Sequence, residues 1–186
     1  MITNASNLIL KDQQVDVLVR VRGTVQGVGF RPHAYRIATK MGLKGWVKND
    51  GQGVLLRLNG YKSTVDQYIK TLVNDAPSIA HIVSIETIPT PDDATPLPEK
   101  FDIIASECVQ DFADFSIPAD LAPCPHCVKE ITDKRNHRCG YAFTNCTQCG
   151  PRYSILEEIP YDRVHTSMRA FRMCLKCEKE YTNPLD

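Results

Sequence analysis

Valines at 15, 17, 19 and 21 alternate with Asp16, Leu18, Arg20 and Arg22, a period of two that predicts a strand with one buried face over Val15–Val21. From Phe30 to Met41 the period changes. Ala34, Ile37, Ala38 and Met41 form a helical stripe, with Pro32 tolerable in the first turn and Gly42 as a stop. Leu43–Asn49 reads as a second strand, Asp50-Gly51 as a hairpin turn, and Gly53–Leu58 as a third strand with Val54, Leu56 and Leu58 on one face. Val65, Tyr68, Ile69, Leu72 and Val73 predict an amphipathic helix over residues 62–74. Ile79–Ile88 and Phe101–Ala105 complete the series as strands. Pro89, Pro91, Pro96 and Pro98, within Thr87–Lys100, predict an exposed loop outside the paired strands.

The order β-α-β-β-α-β, with a late extra strand, predicts an α+β, ferredoxin-like sandwich: two helices on one face of an antiparallel sheet. Past residue 106 apolar periodicity gives way to cysteine spacing. The chain divides into an N-terminal tail (1–14), a folded domain (15–106), a linker (107–118) and a cysteine-patterned region (119–186).

Of the 186 residues 42% are hydrophobic and 24% charged, with formal net charge +0. Residues 1–107 hold 12 Lys and Arg against 11 Asp and Glu, and residues 108–186 hold 10 against 11. Neither part has the basic excess of a phosphate-backbone binder, which weighs against nucleic acid as a partner. There is no signal-peptide pattern and no apolar run near the roughly 18 residues of a membrane span, so a cytoplasmic, membrane-free protein is expected. All eight cysteines lie beyond residue 107, six of them in Cys-x-x-Cys pairs. In a reducing compartment such pairs read as metal ligands before disulfides.

Between the first strand and first helix lies Gly23-Thr24-Val25-Gln26-Gly27-Val28-Gly29-Phe30-Arg31. A strand-to-helix turn of this kind can aim backbone N–H groups at an anion. Gly27 and Gly29 allow close backbone approach, and Arg31 can offer two parallel hydrogen bonds to phosphate oxygens. A bare Gly-x-Gly is a weak signal. His33 could be drawn as a general base, but its place in the first helical turn points it away from the loop. Trp46 and Phe30 read as packing residues.

Cys124-Pro125-His126-Cys127 and Cys146-Thr147-Gln148-Cys149 are 18 residues apart, a spacing that reads as a tetrahedral zinc site. Four thiolates leave no open position, so the zinc is expected to be structural. His126 and His137 are alternative ligands in principle. Cys108 and Cys139 lack a paired partner and read as bystander thiols. Cys174-Leu175-Lys176-Cys177 follows Cys149 after 24 intervening residues. If the first spacing repeats, its partners fall at positions 196 and 199, past Asp186. Cys174 and Cys177 are then half of an incomplete second finger, the chain stops in mid-domain, and about one zinc per chain is expected.

The segment from Val25 to Arg31, taken with Gly45-Trp46-Val47-Lys48-Asn49-Asp50-Gly51, resembles the two signature segments of acylphosphatases. The resemblance covers roughly residues 15–106 and implies the same sandwich fold. It further implies a phosphate site on Gln26, Gly27, Val28, Gly29, Phe30 and Arg31, with Arg31 holding the substrate phosphate and Asn49 positioning the attacking water. Attack on an acyl phosphate needs positioning and fixed charge rather than a tuned acid or base. Asn145-Cys146-Thr147-Gln148-Cys149-Gly150-Pro151-Arg152-Tyr153 and Pro160-Tyr161-Asp162-Arg163 are similar to the zinc region of the hydrogenase-maturation carbamoyltransferase family called HypF. This resemblance spans nearly the whole chain. It implies carbamoyl phosphate as substrate, carbamate and phosphate as products, and a hydrogenase-maturation protein as partner of the full-length family member. A catalytically idle, zinc-dependent interaction module of that machinery is the alternative.

Overall fold

The computed structural model describes residues 12–91, 95–106, 119–147, 149–150 and 153–185. Residues 107–118, expected to form the linker, and Cys108 lie outside them, as do residues 1–11 of the expected tail. The chain forms β1 (Gln14–Thr24), α1 (Phe30–Lys40), β2 (Lys44–Asp50), β3 (Gly53–Tyr61), α2 (Lys62–Asn74), β4 (His81–Pro89) and β5 (Phe101–Ile103). The strands make one sheet in the order β4-β1-β3-β2-β5, antiparallel throughout except for β5, which runs parallel to β2. This is the α+β, ferredoxin-like sandwich expected from the periodicity.

The alternating valines of β1 are the reason for the layer. Val19 and Val21 are fully buried with Val47, Val54, Leu56 and Leu58 of the neighbouring strands. Phe30, Ala34 and Ala38 of α1, and Val65, Tyr68 and Leu72 of α2, close over them. Tyr68 donates its hydroxyl to the Ala34 carbonyl at 3.1 Å, so the one polar atom of a fully buried ring is satisfied. Burial pushes its phenol far above the ordinary range.

Three details depart from expectation. Pro89 is the last residue of β4 and pairs with Val17, so it belongs to a strand; β4 is an edge strand, where a missing N–H costs nothing on the open side. The hairpin turn is Gly51-Gln52, because Asp50 stays in register opposite Gly53. In β4 the register shifts opposite Arg22 and Gly23, leaving Val83 outside the pairing and 70% exposed.

The second face of the sheet is unexpectedly charged. Arg57, 7% exposed, pairs with Asp16 at 2.9 Å, and Arg20 grips the Asp50 carboxylate with contacts of 3.0 and 2.8 Å. The Arg57 guanidinium holds the Asp16 carboxyl below the usual carboxylate range, so both charges persist through the neutral range.

The cysteine region contains two helices of eight residues, α3 (Pro125–Thr132) and α4 (Leu175–Thr182), each entered from a Cys-x-x-Cys pair. Between them lie short 3₁₀ turns at Tyr153–Ile155, Arg163–His165 and Ser167–Ala170. Among the described residues no helix is long and apolar enough to cross a membrane.

Candidate functional site

The loop after β1 turns into α1 at Gly27 and Gly29, with φ of 70° and 73°, a left-handed backbone that glycine adopts without strain. Gly29 is the N-cap of α1 and brings no capping side chain, so the first helical turn can offer N–H groups to an anion. Arg31 projects from that turn. Asn49 reaches it from the end of β2, on the same face as buried Val47. With its amide oxygen turned toward the guanidinium, Asn49 accepts from Arg31 Nε at 3.1 Å and Nη2 at 3.2 Å. The fold thus brings together the two residues, 18 positions apart, that the resemblance pairs.

Gln26, expected among the anion-binding residues, is 1% exposed. Its amide nitrogen donates to the carbonyls of Asp50 and Gly53, each at 2.7 Å. The side chain therefore ties the loop to the β2–β3 turn, holding Arg31 and Asn49 at a fixed separation. Gln26→Ala would remove the side-chain donor from two carbonyls, a cost of about 1–3 kcal/mol. A urea titration should show the loss, and an isosteric Gln26→Glu, which replaces the donor with an acceptor, should be worse. Stability equal to wild type in both would show the tie to be dispensable.

His33 faces away from the loop. Its ring lies 6.2 Å from that of Phe30, its Nε2 is buried without a partner, and burial, outweighing a hydrogen bond with Leu72, lowers its pKa. A neutral, enclosed imidazole suits the α1–α2 packing. Phe30 is core, and Trp46 lies on the opposite sheet face under the Lys48 ammonium, 5.0 Å from the ring centroid.

The cysteine region packs against this same loop. Gly29 faces Thr147, and a Cβ added at Gly29 would sit 2.6 Å from the Thr147 Cβ. The Tyr161 N–H donates to Gln26 Oε1 at 3.2 Å. Most directly, Asp162 lies on Arg31: Oδ1 accepts from Nη2 at 2.5 Å, Arg31 Nη1 donates to Ser106 at 3.1 Å, and the Ser106 hydroxyl donates to Asp162 Oδ2. Neither Ser106 nor Asp162 was expected at the site. They are 56 residues apart, and Asp162 is 131 residues from Arg31, so no local pattern could join them.

Cys124, Cys127, Cys146 and Cys149 bring their Sγ atoms within 4.8 Å of one another. Individual separations are 3.7 Å (Cys124–Cys146), 3.8 Å (Cys127–Cys149) and 4.0 Å (Cys146–Cys149). A tetrahedron with metal–sulfur bonds of about 2.3 Å has edges of about 3.8 Å, so the thiols fit one such ion. His126 is not in the cluster. The second pair is less solitary than the spacing implied, because His137 joins Cys174 and Cys177 in a three-donor group, with Nε2 3.6 Å from Cys177 Sγ. Arg138 explains the approach: it pairs with Glu130 of α3 and Glu180 of α4, drawing the turn that carries His137 against α4.

Residues 17–103 match the acylphosphatase family model, and residues 124–156 match the HypF finger. An acylphosphatase of Caldivirga maquilingensis is 37% identical over 108 residues, which cover 57% of this chain and 96% of that protein. The chain belongs to the acylphosphatase family. Its acylphosphatase domain is joined to a HypF finger, the combination found at the N-terminus of much longer relatives. The carbamoyltransferase HypF of Rhodobacter capsulatus is 46% identical over 169 residues, 90% of this chain and 22% of that protein. A crystal structure of full-length HypF, described as phosphate- and nucleotide-bound, superposes with a TM-score of 0.81 at 37% identity, covering 94% of this chain and 22% of that one. The chain thus spans about a fifth of the length of these HypF relatives.

Proposed function

We propose that this chain hydrolyses an acyl phosphate, carbamoyl phosphate in the first instance, to carbamate and phosphate, as the N-terminal module of a carbamoyltransferase in nickel-iron hydrogenase maturation. The observation that carries the reading is the Arg31 guanidinium held against the Asn49 amide at the mouth of a glycine turn. Each part has a chemical task. The loop N–H groups and Arg31 gather the equatorial phosphoryl oxygens, where charge builds in the transition state. With Oδ1 committed to Arg31, Asn49 Nδ2 is left to donate to a water oxygen, orienting its second lone pair at phosphorus. The carboxylate leaving group needs no general acid, consistent with an enclosed, neutral His33. The relation to HypF, rather than the site itself, favours carbamoyl phosphate over other acyl phosphates and suggests a maturation protein as partner.

Zinc is the metal we assign to the four-thiol cluster of Cys124, Cys127, Cys146 and Cys149, on the ligand chemistry and the finger match. It takes no part in the hydrolysis. When bound it holds the finger together.

Phosphate release from carbamoyl phosphate by the full chain is the test, with Asn49→Ala as the discriminating variant. Removing the amide should lower kcat by about 100-fold or more while inorganic phosphate still inhibits at a similar concentration, because water is lost and the anion site remains. Wild-type turnover indistinguishable from buffer, with phosphate bound, would instead support the interaction-module alternative.

A further inference from the structure

The contact of Asp162 with Arg31 has a consequence for how the site fills. A guanidinium binds a phosphoryl group through a pair of parallel N–H bonds along one edge. Arg31 has two such edges within reach of side chains, and both are taken. The Nε/Nη2 edge faces Asn49. The Nη1/Nη2 edge faces Ser106 and Asp162, and Ser106 closes the triangle by donating to Asp162. The Arg31 and Asp162 side chains are 22% and 19% exposed, so the pair is partly withdrawn from water and is not a screened surface contact. Asp162 does not stand alone: next to it Tyr161 is bound to Gln26, the side chain that fixes the loop.

The geometry points to Asp162 as an intramolecular competitor for the phosphoryl site, a carboxylate that a substrate phosphate must displace from Arg31 before it can use the arginine fork. The inference rests on the proposed phosphate site. A carboxylate and a phosphate dianion cannot share one edge of one guanidinium without strong repulsion, so binding the anion and holding Asp162 are mutually exclusive. Asp162 thereby sets the affinity of the site and excludes weak anions. Its release also gives the finger a signal of occupancy, because the segment from Pro160 to Arg163 loses its charged anchor when phosphate arrives.

Titration calorimetry of the full chain with inorganic phosphate tests this, using wild type, Asp162→Asn, Asp162→Ala and Arg31→Ala. Both Asp162 variants should bind phosphate roughly tenfold more tightly than wild type, the worth of one charge-assisted hydrogen bond no longer broken, and Arg31→Ala should bind none. In wild type, saturating phosphate should also speed hydrogen exchange at the Tyr161 amide, a readout that needs no variant to fold. Unchanged or weaker phosphate binding by both Asp162 variants, or a Tyr161 amide equally protected with and without phosphate, would overturn the competitor while leaving the site intact. Full phosphate binding by Arg31→Ala would overturn the site itself.

Discussion

Arg31→Lys should abolish most acyl phosphate hydrolysis although the charge is kept, with kcat/KM falling about 100- to 1000-fold. The reason is geometric. The guanidinium makes contacts in three directions at once, to Asn49 from Nε and Nη2, to Ser106 from Nη1 and to Asp162 from Nη2. A lysine ammonium is a point donor on a flexible stem and cannot hold two phosphoryl oxygens in plane while orienting the Asn49 amide. Losing one preorganised donor at developing negative charge costs about 2.7–4 kcal/mol in comparable sites, which converts to the range given. Steady-state kinetics with acetyl and carbamoyl phosphate measure it. Because the lysine variant retains a cation beside Asp162, its fold should match wild type by circular dichroism, and a lysine variant with wild-type kcat/KM would show that charge alone suffices.

The parts of this arrangement that local chemistry specifies were legible in the residues. Alternating Val15 to Val21 gave a strand, Gly27 and Gly29 a strand-to-helix turn open to close backbone approach, and Pro32 the start of a helix, since each follows from backbone sterics within a few residues. Asn49 could be joined to Arg31 only through the resemblance to acylphosphatases, because register across β2 and β3 decides which face it occupies. What stayed hidden depends on contacts between distant segments. Gln26 looks like one more loop residue until the β2–β3 turn is placed beneath it, and Asp162 looks like a turn residue until the finger is docked on the loop. His137 is similar: no spacing rule connects it to Cys174 and Cys177, and only the Arg138 ion pairs bring it there. The buried charges Arg57 and Asp50 defeat hydropathy for a related reason, since pairing with Asp16 and Arg20 across strands makes tolerable a burial that composition alone forbids.

Metal removal should dissect the chain into two stabilities. The hydrophobic core cluster is confined to the acylphosphatase domain, running from Val19 to Phe101 among the described residues. Among the described residues of the cysteine region the buried apolar side chains are Cys127, Cys149, Pro160 and Met168, two of which are themselves metal ligands in our assignment. So small a core cannot offset the conformational entropy of some 60 ordered residues, whereas a four-thiolate zinc site supplies about 10–16 kcal/mol at neutral pH. Chelation, or Cys127→Ser with Cys149→Ser, is therefore expected to unfold the finger and leave the β-sheet domain folded. Amide exchange should become fast in α3 and at Thr144 and Thr166 while Val19, Leu56 and Tyr68 stay protected. Protons should be released on zinc return, since thiols that are largely protonated at neutral pH must ionise to bind the metal. Loss of Asp162 and Thr147 from the loop follows from the same unfolding, so the chelated chain should bind inorganic phosphate more tightly than the zinc-loaded one. Uniform unfolding of both regions would show that the β-sheet domain depends on the finger, and an unaltered finger after chelation would remove the metal from the account of its stability.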